Sequence, residues 1–168
     1  MKNWYLICLA PVCLIISLMA EGAAAKSLTV DNQPGNIMPC QSDQETVKGS
    51  FEVTMEPQKD SDVPAGRMLI KKQYSGGLSG SGLGQMLSKR TESGTAAYVA
   101  IEEFDGLLDA KRGSFTLLHS GLMTAESQSL EVNILQGSGG GELETISGSL
   151  EIIQADGGHQ YVLCYQLE

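Results

Sequence analysis

The sequence predicts an all-β protein built as an eight-stranded antiparallel up-and-down barrel. Apolar and polar residues alternate with period two along several segments, and short turns separate these segments at hairpin spacing. No long helical pattern follows the N-terminal leader. Eight antiparallel strands hide their edges best by closing into a barrel. Such a barrel has room for side chains or for one small ligand.

The N-terminal segment has the pattern of a secretory signal peptide. Lys2 supplies the positive start, residues 6–20 are apolar, and Ala23 to Ala25 fit a small-residue cleavage site. The apolar run is short for a transmembrane helix. We therefore expect residues 1–25 to be removed, leaving an exported protein without a stable membrane anchor. The expected location is the periplasm or the extracellular space.

The composition indicates how the chain is divided into segments and argues against one class of partner. Residues 26–45 are polar, contain Pro34, Gly35 and Pro39, and are predicted to form an extended arm. Residues 46–168 are predicted to form a single barrel domain. The 168-residue chain has a net charge of −9, which argues against nucleic-acid binding because that binding depends on basic patches.

Two cysteines, Cys40 and Cys164, lie outside the predicted signal peptide. In an oxidising compartment, a disulfide between them is the first interpretation, and two free thiols are the alternative. The first and last strands of an up-and-down barrel are neighbours, so the arm can reach Cys164. These cysteines and the two histidines lack a recognisable metal-ligand spacing. We predict no metal and no cofactor.

The predicted strands follow one another at hairpin spacing, with loops at residues 57–64 and 137–141. The Gly-rich run at 80–84 does not match a dinucleotide-binding fingerprint, and it is predicted to lie within a strand where backbones approach closely. The predicted strands cover residues 47–56, 66–75, 78–90, 98–109, 112–123, 130–134, 149–154 and 159–167.

The fourth and fifth strands form the hairpin that organises the chain. A two-residue loop at 110–111 places Glu102 opposite His119 and Phe104 opposite Leu117. Facing residues on one side of a sheet lie close enough for their side chains to touch. We therefore expect Glu102 and His119 to meet on the inner face.

Several polar side chains share this predicted inner face. Glu102 and His119 are the candidate catalytic residues, and Glu102 could act as a general base or orient His119. The alternative is a buried network whose members satisfy one another's hydrogen bonds. The candidate ligand-binding residues are Lys72, Tyr74, Tyr98, Tyr161 and Tyr165.

A set of short motifs follows in a fixed order from Gly49 onward. They are Gly66-Arg67-Met68, Lys72-Gln73, Gly84-Gln85-Met86-Leu87, Tyr98 to Glu102, Arg112 to Phe115, His119-Ser120-Gly121 and Gly139 to Gly148. In these motifs the chain resembles a bacterial family of unknown function, DUF3224, whose fold is similar to the allene oxide cyclase barrel. The resemblance implies an eight-stranded, calycin-like barrel and no established activity. The N-terminal arm and both mature cysteines look like additions to the family pattern.

Three functions remain open from the sequence. We favour an exported barrel that binds a small apolar or amphipathic ligand, because nothing resembles a complete catalytic constellation. The second is an isomerase or cyclase that confines a reactive molecule beside Glu102 and His119. The third is a structural or partner-binding barrel with a filled interior. The sequence also leaves a homo-oligomer open.

Overall fold

The computed structural model describes residues 40–59, 61–155 and 158–168. The predicted signal peptide and most of the predicted arm lie outside the described residues, so the domain bounds stay predictions. The described residues form strands β1 (Glu45–Gln58), β2 (Gly66–Gly76), β3 (Leu78–Arg90), β4 (Ala96–Leu108), β5 (Lys111–Met123), β6 (Gln128–Ile134), β7 (Gly140–Gly141), β8 (Ser147–Ala155) and β9 (Gly158–Gln166).

Eight of these strands close into an antiparallel barrel, and the predicted fold class is confirmed. The strand order is β4-β3-β2-β1-β9-β8-β6-β5, and β5 pairs with β4 to complete the circle. The period-two pattern produces this fold because alternate residues of each strand point into the barrel. Within the described ranges, no helix has the length and hydropathy needed to cross a membrane.

The β4–β5 hairpin has a different register from the predicted one. Its loop is Asp109–Ala110 rather than residues 110–111, and both loop residues have positive φ, 45° and 69°. Positive φ at both positions is typical of the two-residue hairpin turn that matches strand twist. Asp109 is held in place because its N–H donates to Gly77 O and its carboxylate lies 3.1 Å from the Tyr165 hydroxyl.

This correction changes which residues face each other without changing their side of the sheet. Glu102 is opposite Leu117, and His119 is opposite Ala100. Likewise, Phe104 is opposite Phe115 rather than Leu117. Each observed partner lies two positions along the facing strand from the predicted one. A difference of two residues keeps every side chain on the same face of the sheet.

The predicted loop at residues 137–141 contains a short strand. Gly140 and Gly141 form β7 and pair with Ser114 and Gly113 of β5. The chain then continues into the end of the barrel, where Leu143 is fully buried. This loop therefore helps to close the barrel. At the other end of the barrel, β1 runs on to Gln58, into the segment predicted as a loop.

The two ends of the barrel differ in packing. The end that contains the β4–β5 turn is filled by side chains that are almost completely buried: Leu78, Leu108, Phe115, Leu143, Ile146 and Tyr165. At the opposite end, which we call the open end, inward-facing apolar side chains are only partly buried: Val53, Met68, Tyr98, Leu130 and Ile152. The interior is therefore packed at one end and more accessible at the other.

A disulfide joins Cys40 to Cys164, as predicted from the sequence. Cys164 lies on β9 opposite Thr46 of the neighbouring strand β1. The barrel thus brings together residues separated by 124 positions in the sequence. The bond ties the segment before β1 to the last strand.

Candidate functional site

The glycines of β3 allow side chains from β2 and β4 to meet inside the barrel. Lys72 on β2 is opposite Gly82, and Glu102 on β4 is opposite Gly84. A Cβ atom added to Gly82 would overlap Glu102 Oε1. Because these positions of β3 are glycines, there is room inside the barrel for the Glu102 carboxylate. This explains the Gly-rich run that resembles, but does not match, a nucleotide-binding loop.

Lys72, Tyr74 and Glu102 form a buried hydrogen-bonded cluster. Lys72 Nζ donates to Glu102 Oε2 at 2.6 Å, and the Tyr74 hydroxyl donates to Glu102 Oε1 at 2.8 Å. The Lys72 and Glu102 side chains are only 5% and 1% exposed. Burying either charge alone is costly, whereas close pairing and additional hydrogen bonds offset that cost. The geometry indicates an ion pair that holds these three residues as a unit.

His119 joins this cluster from β5. Its Nε2 atom lies 3.0 Å from Glu102 Oε2, and its side chain is 5% exposed. The distance is short, but among the residues that the structure describes Nε2 makes no hydrogen bond of acceptable direction, so this buried atom lacks a well-aligned partner there. Hydrogen bonds weaken steeply off axis, so the misaligned contact with Glu102 is weaker than its length suggests. His119 thus retains hydrogen-bonding capacity beside the ion pair.

Phe51 is a member of the site that sequence reasoning did not single out. Lys72 Nζ lies 4.6 Å from the centroid of its ring, within the range of a cation–π contact. The ring of His159 stacks on Phe51 with centroids 5.0 Å apart. The alternation along β1 already places Phe51 on the inner face. Its register partner on β2 is Tyr74, so the diagonal contact of its ring with Lys72 depends on the tertiary structure.

The surroundings set the ionisation of the cluster. Burial raises the pKa of Glu102, but the adjoining His119 imidazole and Lys72 ammonium more than offset that effect, and its pKa is lowered overall. Burial, and then the Glu102 charge, raise the pKa of Tyr74 far above its ordinary value. Tyr74 therefore stays a neutral donor to an ionised Glu102. A carboxylate stabilised in this way is a weak base.

Of the other predicted ligand-binding residues, Tyr98 lies at the open end. Its ring is half-buried and covers Gly121, where a side chain would collide with it. Burial raises the pKa of the Tyr98 hydroxyl. This placement puts an aromatic ring at the open end of the barrel, on the same inner face as Glu102 and His119.

The hydroxyl groups of Tyr161 and Tyr165 form hydrogen bonds with other residues of the barrel near its packed end. The Tyr161 hydroxyl accepts a hydrogen bond from Leu78 N at 2.7 Å. The Tyr165 hydroxyl donates to Glu45 Oε2 at 2.7 Å. Burial and these carboxylate surroundings raise the pKa of Tyr165. The Tyr161 ring touches Tyr74, with centroids 5.6 Å apart, but the structure does not bring Tyr165 into the cluster.

In the described part of the chain, no group of three or more His, Cys, Asp or Glu side chains is arranged to hold a metal ion. A groove of about 830 Å³ is present, but it lies on the outer face of β2 to β5 rather than inside the barrel. The chemistry of the interior therefore rests on the Lys72–Tyr74–Glu102–His119 group, which we call the polar cluster.

Comparisons with known proteins place this barrel in a family. The family model for proteins of unknown function DUF3224 matches residues 47–165. A solved structure of a DUF3224 protein of unknown function from Shewanella oneidensis MR-1 is similar, with 34% sequence identity and a TM-score of 0.70. The match covers 74% of this chain and 98% of that one. No curated protein matches the chain significantly. The chain belongs to the DUF3224 family.

Proposed function

We propose that this protein is exported and binds a small amphipathic molecule in the open end of the barrel, above the polar cluster. The observation that carries the proposal is the buried His119 Nε2 atom, which has no well-aligned hydrogen-bond partner within the described part of the chain. Buried polar atoms are rarely left without a partner. An oxygen or nitrogen atom of a ligand could form the hydrogen bond that His119 Nε2 lacks.

The open end supplies apolar contacts for the rest of such a molecule. Val53, Met68 and Tyr98 are partly buried and pack against the small inner group Ile70, Met86 and Ala100. Ligand sites commonly combine an apolar lining with a few polar groups that fix orientation. The combination of this rim with His119 supports an amphipathic ligand.

The ion pair favours an uncharged polar group on the ligand. Lys72 already donates to Glu102 at 2.6 Å, so the two opposite charges largely compensate each other. An added anion would meet the Glu102 carboxylate, which accepts from both Lys72 and Tyr74. A carbonyl, hydroxyl or amide avoids that repulsion and can still bond an imidazole nitrogen.

The alternative is an isomerase or cyclase with Glu102 as the general base. General bases work best when their pKa lies near the operating pH. The lowered pKa of Glu102 and its bonds to Lys72 and Tyr74 argue against that role. Binding without catalysis is therefore the better-supported function. The Cys40–Cys164 disulfide and the predicted leader support an oxidising, exported location.

Native mass spectrometry of protein purified from its host tests this proposal. We expect the wild-type protein to retain a small molecule. Met68→Lys, which places a charge at the open end, and His119→Phe, which removes the imidazole, should reduce the retained fraction. Tyr165→Phe is the matched control because it removes a buried hydroxyl at the packed end.

Two results would contradict the proposal. One is a wild-type protein that carries no small molecule, which would favour a barrel with a purely structural interior. The other is equal retention in the wild-type and Met68→Lys proteins, which would place the molecule elsewhere. Catalytic turnover of the retained molecule that Glu102→Gln abolishes would instead support the enzyme alternative.

A further inference from the structure

All four methionines in the described part of the chain lie on the inner face at the open end of the barrel. They are Met55 on β1, Met68 on β2, Met86 on β3 and Met123 on β5. The packed end is filled instead by leucine, isoleucine, phenylalanine and tyrosine side chains. Because methionine and leucine are close to interchangeable in an apolar core, packing alone does not explain this separation.

Three of these methionines are neighbours on adjacent strands. Met68 and Met86 are directly opposite each other in the β2–β3 ladder. On β1, Met55 is opposite Ile70, which places it diagonal to Met68. Directly opposite side chains touch, and long side chains also reach across a diagonal. The three thioether sulfurs can therefore converge on one point at the open end.

The surroundings change from solvent to interior along this row of methionines. Met55 is 47% exposed, because β1 continues past its last register pair with β9, Phe51 and His159. Met68 is partly buried, and Met86 is only 8% exposed. A small cation can thus enter from solvent at Met55 and be held beside Met86, away from water.

We propose that Met55, Met68 and Met86 form a binding site for copper(I). Thioether sulfur is a soft, uncharged ligand, and soft ligands select Cu(I) over hard cations such as Mg²⁺ and Ca²⁺. The disulfide occupies both cysteines of the described ranges, Cys40 and Cys164, so the soft ligands that remain there are the methionines. Cysteine and histidine spacing, on which the prediction of no metal rests, says nothing about thioether ligands.

The charges around the site are compatible with a monovalent cation. The three thioethers are neutral, and the chain carries a net charge of −9, which favours association with cations. On the same face of β2, the Lys72 ammonium lies 2.6 Å from the Glu102 carboxylate, so its charge is largely compensated. The site leaves out His119 and therefore does not rest on the ligand proposed above.

Competition with the chromogenic chelator bicinchoninate tests the proposal, with copper(I) kept reduced by ascorbate without oxygen and the disulfide intact. We expect the mature wild-type protein to bind one copper(I). Met55→Leu, Met68→Leu and Met86→Leu should each raise the dissociation constant at least about 10-fold, since loss of even a supporting group costs that much at metal sites. Met123→Leu is the matched control and should bind like the wild type, because Met123 lies opposite Ala96 on β5, apart from the other three.

The pH dependence of the affinity separates a thioether site from an imidazole site. A thioether carries no proton, whereas a histidine must be deprotonated to bind a metal. The dissociation constant, corrected for the chelator, should therefore stay unchanged between about pH 7 and about pH 5, the range in which histidine titrates. A constant that rises on acidification would point to an imidazole ligand and would overturn the proposed site.

Circular dichroism should show folded barrels for all variants, since leucine replaces methionine with little change in volume. A wild-type protein that binds no copper(I) would overturn the proposal. So would three leucine variants that bind copper(I) as tightly as the wild type, because the methionines would then serve only as an adaptable apolar lining. The copper assay uses the metal alone, so its outcome is separate from the retention of a small molecule.

Discussion

His119 Nε2 lies 3.0 Å from Glu102 Oε2, although the two residues are not directly opposite each other in the β4–β5 hairpin. They are diagonal neighbours on the inner face, because Glu102 faces Leu117 and His119 faces Ala100. Long side chains can bridge such a diagonal. The contact links the ion pair formed with Lys72 to a third strand, so changes at any of these residues should be coupled.

Replacing Glu102 by alanine should destabilise the protein strongly. The change leaves Lys72, whose side chain is 5% exposed, without its carboxylate partner. Removing one member of a buried charged pair typically costs about 3–5 kcal/mol. Glu102→Ala combined with His119→Ala should cost less than the sum of the single changes, because the residues act together. Urea unfolding gives the free energy of unfolding of Glu102→Ala, His119→Ala and the double variant.

The adjacent residue provides a matched control for this experiment. Glu103 points to the outer face, where it accepts a hydrogen bond from the Thr116 hydroxyl. Glu103→Ala should therefore stay within about 1 kcal/mol of the wild type. Equal losses for Glu102→Ala and Glu103→Ala, or strictly additive losses for the Glu102 and His119 changes, would show that the polar cluster does not act as a unit.

Ionised Glu102 should stabilise the protein at neutral pH and contribute less on acidification. Its pKa is lowered in the folded protein from an ordinary value of 4.5. The stabilisation is therefore fully present above that ordinary value and is lost as the pH falls through the lower folded-state value. The difference in unfolding free energy between the wild type and Glu102→Gln should shrink between neutral pH and about pH 3. A pH-independent difference would contradict this.

Gly82→Ala should disturb the polar cluster from the opposite strand. The new methyl group would overlap Glu102 Oε1, which is held by the Tyr74 hydroxyl and cannot move freely in a closely packed interior. We expect a loss of about 1–3 kcal/mol in unfolding free energy. Ser81→Ala, at the neighbouring exposed position, should be nearly neutral. Equal stability of Gly82→Ala and the wild type would mean that the cluster has room to rearrange.

The disulfide and the leader make a joint prediction about export. Protein recovered from the cell envelope or the medium should begin near Lys26, and nonreducing peptide mapping should link Cys40 to Cys164. Closing a loop of this length stabilises by roughly 4–5 kcal/mol in the entropic description, and real gains are often smaller. Replacing both cysteines by serine should thus lower the free energy of unfolding. An intact Met1 in cytoplasmic protein, or two alkylatable native thiols, would contradict the prediction.

The sequence alone predicts the barrel and the inward direction of the key side chains well. Alternation along each strand depends only on parity, so the sequence predicts one face for Lys72, Glu102 and His119 even with an incorrect hairpin loop. The loop position depends on the backbone conformation of Asp109 and Ala110. Alanine rarely adopts positive φ, and the contacts of Asp109 that hold this turn come from distant strands.

Other features of the site depend on long-range packing. The sequence shows the glycines at 82 and 84, but their effect is visible only when β2 and β4 lie on either side of them. In the same way, nothing local to Phe51 predicts that Lys72 lies over its ring. The hydrogen bonds of the Tyr161 and Tyr165 hydroxyl groups also depend on partners far away in the sequence.

The most direct test of ligand binding above the polar cluster is the ¹⁵N resonance of the His119 imidazole. It should be recorded with ligand-free protein and again after the molecule extracted from host-purified protein is added back. We predict that the Nε2 resonance of His119 shifts with the occupancy of the barrel and that Met68→Lys abolishes the shift. Binding that leaves the His119 resonance unchanged would contradict the account, since the cluster would then stabilise the barrel without contacting the ligand.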